Sequence, residues 1–268
     1  MLRAELYRAL RSRTFLLALM IGVVALAFGL YQYASFLITN PEYASINPPF
    51  FYNAYDATIW AQRSIIGLIV PMLAVLPFTD SLVLDRTSGY LRSVLTRTSY
   101  KRYLGAKFTA CVLSGGLAVA VPLLLLFAYA SSVFPRGLNL VEGQQRILSD
   151  PHTLGPFGAL YRTAPDLYIL ALVALAFVFG AIYATFGLSI SVFANNRYVV
   201  LATPWLVYFV VNFVVAILGL ERWSPSATYA PHWLNNVGWI HLAVGLGGLF
   251  LVSSLVFWTM SPKMKERV

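Results

Sequence analysis

Charge is scarce in this chain. Asp, Glu, Lys and Arg make up 11% of it, against 59% hydrophobic residues. A soluble domain carries about 25% charged residues, so an ordinary soluble fold is excluded. Cysteine is scarcer still, with Cys111 alone. One thiol forms no intramolecular disulfide, and inside an apolar run it reads as a small packing residue. CxxC and HExxH pairs are lacking, and His152, His232 and His241 are widely spaced, so no metal site is expected. The phosphate-cradling motif GxxxxGK[ST] is lacking too; Gly105-Ala106-Lys107 is only a fragment of it.

What the chain has in quantity is long uncharged runs. There are 28 uncharged residues between Lys107 and Arg136, 30 between Asp166 and Arg197, 23 between Arg197 and Glu221, and 40 between Arg222 and Lys263. About 20 apolar helical residues cross a bilayer, whereas barrel strands alternate over about 10. The fold class expected is therefore an all-α membrane protein with six transmembrane helices. These fall at Phe15–Tyr33, Ser64–Leu84, Phe108–Ala130, Leu167–Ala194, Tyr198–Leu220 and Gly238–Met260. Residues 1–268 form one transmembrane domain, with external loops at 34–63 and 131–166. Both loops are rich in Pro, Gly and aromatics, and together they have the composition of a small outer cap. Pro71, Pro77, Pro122 and Pro204 are expected to kink or end helices.

The formal charge of +9 has a topological cause. Sorted by alternate loops, fourteen basic residues fall on one side and five on the other. The positive-inside rule places the richer side, and both termini, in the cytoplasm. Nucleic-acid binding is not needed to explain the charge. At 1–14, Leu2, Leu6 and Leu10 make one apolar stripe, and Glu5 and Arg8 lie on polar faces. That pattern predicts an amphipathic helix in the headgroup plane, with a polar face available to a partner.

Enzymatic readings find little support. Gly187-Leu188-Ser189 and His241 suggest an intramembrane protease, but they belong at opposite membrane faces. Ion-coupled transport requires midplane charges. Asp80 is the one carboxylate inside an apolar run, near its inner end, and is expected to pair with a nearby Arg.

One sizeable cytoplasmic connection remains, residues 85–107, holding six of the nineteen Lys and Arg residues. Tyr90, Leu91, Val94 and Leu95 recur on one helical face, flanked by Arg86 and Arg92, and Gly89 breaks the chain before them. The pattern predicts a short transverse helix whose apolar face pegs into a partner's groove. Here the sequence resembles the permease subunits of type-2 ATP-binding-cassette exporters. The resemblance rests on Asp85-Arg86-Thr87-Ser88-Gly89-Tyr90-Leu91-Arg92, on Leu95-Thr96-Arg97-Thr98 and on Tyr100 through Lys107. Glu5 through Arg13 and Phe193 through Arg197 extend it, although Gly89-Tyr90 stands where Gly-Thr is commoner.

The resemblance implies a half-transporter in a bacterial cell membrane, not itself an enzyme. It pairs with a second permease subunit through the first and fifth spans. ATP and Mg are bound by a separate cytoplasmic ATPase subunit. Asp85, Arg86, Gly89, Tyr90, Leu91, Arg92, Val94 and Leu95 form the coupling helix, and the substrate is a hydrophobic or amphipathic peptide, antibiotic or lipid-like molecule. The alternatives are a membrane scaffold or sensor that docks a cytoplasmic regulator, and an ion-coupled secondary transporter.

Overall fold

The computed structural model describes residues 1–39, 53–136 and 154–264, and side chains as far as residue 261. Among the described residues all regular structure is helical. Five helices are long and apolar enough to cross a membrane. They are α2 (Arg13–Thr39), α7 (Tyr100–Val133), α9 (Pro165–Ile190), α10 (Arg197–Ile217) and the run Trp239–Ser261. The last is composite. A short α12 (Trp239–Leu242) passes through a π-helical turn, Ala243–Gly247, into α13 (Gly248–Met264).

The apolar run 64–84 is not one helix. α4 (Ile66–Val75) ends before Pro77, a turn follows, and α5 (Ser81–Thr87) resumes. Proline has no N–H to donate and its ring crowds the preceding turn, which accounts for the break. On its other side, α4 meets α3 (Ala54–Gln62) at a bend of 73°. If that bent pair is counted as one span, the chain has up to six.

The broken hydrogen bonds are made good by other elements. Pro71 leaves the Gly67 carbonyl without its helical donor. The Tyr208 hydroxyl of α10 donates to it at 2.7 Å, and Trp205 Nε1 donates to the Leu68 carbonyl at 2.9 Å. The Pro77 carbonyl accepts from Thr14 Oγ1 at 3.1 Å. An unsatisfied carbonyl in hydrocarbon costs several kcal/mol, so these side chains permit the kinks.

α7 and α9 pack along each other at the centre. They touch backbone to backbone at Gly115 and Gly180. A Cβ added at Gly115 would lie 2.3 Å from the Ala184 Cβ, and one at Gly180 would lie 2.5 Å from the Gly115 carbonyl. Such close approach lets dispersion contacts hold helices that gain nothing from water exclusion in lipid. Beside this crossing, Phe179 stacks on Tyr183 at 4.4 Å and edges toward Tyr208 and Tyr229.

The two ends of the bundle differ in chemistry. At the aromatic end, Asn53 caps α3 by accepting from the Asp56 N–H at 2.8 Å. Tyr161, on α8 (Gly158–Thr163), donates to Asp56 at 2.6 Å. The Tyr55 hydroxyl reaches Asp166 at 3.2 Å, and the Ala54 N–H donates to the Pro135 carbonyl at 3.0 Å. The described parts of the two loops expected to form a cap are thus bonded to each other at this end; 40–52 and 137–153 lie outside the described residues. α11 (Pro225–Tyr229) and two 3₁₀ turns, Glu221–Trp223 and Pro231–Trp233, complete this end. The opposite, basic end carries α1 (Leu2–Leu10), α5 and α6 (Tyr90–Leu95).

Candidate functional site

The basic end is organised around four buried or half-buried charges. Glu5 on α1 and Lys107 on α7 are 0% exposed, and Asp85 on α5 is 2% exposed. Lys107 Nζ lies 2.9 Å from Glu5 and 2.7 Å from Asp85. Arg8 reaches the same two carboxylates, at 3.1 Å from Glu5 and 2.8 Å from Asp85. The Tyr103 hydroxyl donates to Asp85 at 2.7 Å. Two cations and two anions cancel, so the cluster carries no net charge.

The aromatic neighbours finish the enclosure. Phe78, from the turn after α4, places its ring 4.5 Å from Lys107 Nζ. The Arg8 guanidinium lies 4.8 Å from the Tyr90 ring centroid. Burial alone pushes the Asp85 carboxyl up. The Arg8 hydrogen bond and the Lys107 charge more than offset this and hold it below the usual carboxylate value. The Asp85 hydrogen bond and the charges of Asp85 and Glu5 in turn raise the Arg8 pKa against the effect of burial.

This geometry corrects the expectation for α1. Glu5 and Ala9 face inward, and α1 packs on α7 instead of presenting its whole polar face outward. Arg8 sits at the edge with 38% of its side chain exposed.

The coupling segment is also seated differently from the peg expected. Gly89 has φ +73 and nothing within 4 Å of an added Cβ. Its left-handed backbone, costly for residues with a Cβ, turns the chain from α5 into α6. Leu91 is 1% exposed and packs among Ala9, Phe78, Leu82, Tyr103 and Leu104 of its own chain. Val94 and Leu95 are half-buried against the same cluster, and Tyr90 is 40% exposed beneath Arg8. An apolar stripe this close to the bundle is covered by its own core, because burial there requires no partner. The outward side of α6 and of the turn that follows it is polar: Arg92, Ser93, Thr96 and Arg97.

Further bonds fix the segment from the other side. Arg86 donates to the Ala194 carbonyl at 2.5 Å and to Asn195 at 3.1 Å. Asp80 pairs with Arg197 at 3.3 Å, as expected for a carboxylate at the end of an apolar run. Tyr100 closes the ring by donating to the Ser261 carbonyl at 2.8 Å.

Sequence reasoning brought in Glu5, Arg8 and Asp85 but did not link them, and it missed Lys107, Tyr103 and Phe78. A signal existed. Tyr103, Lys107, Ala110 and Ser114 share one helical face and are all buried. A lysine on that face requires a buried anion.

The other candidates fall away. Ser189 lies in the last turn of α9 and donates to the Phe186 carbonyl, while His241 lies in the first turn of α12 at the aromatic end. Among the described residues no cluster of three or more His, Cys, Asp or Glu residues suits a metal ion. No family model matches the chain, and no curated protein matches it.

Proposed function

We propose that this chain is the membrane subunit of an ATP-driven exporter. In this reading it docks on a cytoplasmic ATP-binding subunit that holds ATP and Mg. It pairs with a second permease subunit and moves a hydrophobic or amphipathic substrate outward. The resemblance around Asp85–Lys107 supplies the family. The buried ion cluster is the observation that carries the mechanism.

A coupling element has to transmit force: α6 packs on α7 through Leu91, and α5, which leads into α6, is tied to α7 by the bonds of Asp85 to Lys107 and Tyr103. A displacement of α6 by the ATPase therefore displaces α7, which packs along α9 through the bundle. The partner meets the polar outer face of α6, with Arg92 and Arg97 as its exposed cations. Work is done through contacts that differ between two states, not through bond chemistry in this chain.

Co-expression with any ATP-binding subunit found encoded beside this chain tests the reading. A stable complex is expected whose ATPase recruitment falls on Arg92→Glu with Arg97→Glu, while the thermal stability of the subunit alone stays the same. If the wild-type chain recruits no ATPase, the proposal fails.

A further inference from the structure

Two cavities meet where α10 ends. The first, about 430 Å³, is lined by Leu68 of α4 and by Tyr208, Phe209, Phe213 and Ala216 of α10. The second, about 510 Å³, lies beyond the end of α10 and is lined by Arg222, Trp223, Asn235 and His241. Glu221, Trp233 and Leu234 belong to both walls, so the two form one continuous groove. Its polarity changes along its length from hydrocarbon to charge. Each part falls within the volume range of pockets that hold small ligands.

The polar part has donors and an acceptor to spare. Arg222 and Glu221 are exposed and form no ion pair with any described residue. His241 Nδ1 accepts from the Gly238 N–H at 3.0 Å. In the neutral ring the proton is therefore on Nε2, which is left as a donor. The ring is held by Trp223, 4.6 Å away between centroids. The apolar part opens beside Phe209 and Phe213, which are 48% and 63% exposed on a helix apolar enough to cross a membrane.

We propose that this groove binds a zwitterionic glycerophospholipid. An acyl chain lies along Tyr208, Phe213 and Ala216. The phosphate is received by Arg222 and the Nε2–H of His241, and the ammonium by Glu221. The sequence of apolar wall, tryptophan boundary and charged mouth matches the order of groups in one lipid molecule. A peptide of mixed sequence has no such fixed order. The inference stands independently of ATP-driven transport.

The test is native mass spectrometry of the delipidated full chain in detergent. It is titrated with phosphatidylethanolamine, phosphatidylglycerol and diacylglycerol of equal chain length. Phosphatidylethanolamine is expected to bind about tenfold more tightly than diacylglycerol, the effect of one charge-assisted hydrogen bond. Ala216→Trp fills the apolar part and lowers binding of all three. Arg222→Ala, at an exposed side chain, brings phosphatidylethanolamine down to the diacylglycerol level, and it decides the matter if Ala216→Trp misfolds. Glu221→Gln removes the preference for phosphatidylethanolamine over phosphatidylglycerol. Leu251→Trp, at a site 68% exposed on α13, changes nothing.

Equal binding of the three lipids overturns the proposal. So does a loss shared by Leu251→Trp, which would mean nonspecific surface lipid. A dimer peak that Ala216→Trp abolishes without changing lipid uptake would assign the groove to a second copy of the chain, and this too overturns it.

Discussion

Lys107 is the residue on which the basic end depends, because it is fully buried between two carboxylates. Removing one partner of a buried ion pair costs about 3–5 kcal/mol, since the other charge stays buried. Lys107→Met is expected to lower thermal stability in detergent accordingly. Adding Asp85→Asn removes one of the stranded anions, so the double variant should lose less than the sum of the two singles. Strict additivity would mean that the two groups do not interact.

Acid should act on the same cluster. The folded Asp85 carboxyl titrates below its unfolded value of about 3.9. Its contribution is complete above that unfolded value and is lost as pH falls through the lower, folded one. Proteolytic sensitivity of α1 is therefore expected to be flat from neutral pH to about pH 5 and to rise below about pH 4. An increase near pH 6.5 would point to a histidine instead. None of this was visible pairwise in the sequence. Arg8 and Asp85 stand 77 positions apart, and only the fold shows that their helices meet.

At the level of elements, periodicity located α6 correctly but not the direction of its apolar face. Tyr90, Leu91, Val94 and Leu95 do share a side, and that side faces the chain's own core. An apolar stripe marks a buried face without saying what buries it. Leu91→Asp would therefore release α6 from its own subunit before any partner is considered.

The hinge before α6 is the sharper test. Gly89→Val places a β-branched residue at φ +73, at a cost of about 1–2 kcal/mol or more. Hydrogen exchange should show α6 protection falling while α7 and α9 are unchanged, and Gly89→Asn should be milder. The second apolar run misled for a related reason. Hydropathy sums over residues and is insensitive to what Pro71 and Pro77 remove from the backbone. The Gly67 carbonyl that Pro71 frees is satisfied by Tyr208, and the Pro77 carbonyl, left open where the helix breaks, by Thr14, both distant in sequence.

Across the whole molecule, the long helices and the contrast between the two ends were the most legible features, because lipid imposes length and apolarity directly. The single cysteine makes the side assignment directly testable. Cys111 is 1% exposed, so it stays silent to impermeant maleimides. Arg222→Cys should label in intact cells, and Arg97→Cys only after the membrane is opened. The reverse pattern would invert the topology and with it the exporter reading.

The buried cluster also bears on how the chain is made. Glu5 is buried against Lys107, which follows it by 102 positions. At about 5–20 residues per second of synthesis, that is a wait of roughly 5–20 s. During this interval α1 lacks Lys107 and has only its own Arg8 beside Glu5, so the carboxylate belongs in water at the bilayer surface. The surface position read from the sequence is thus the one that suits α1 before Lys107 is made. Once Lys107 is present, burial of Glu5 in the bundle no longer strands its charge.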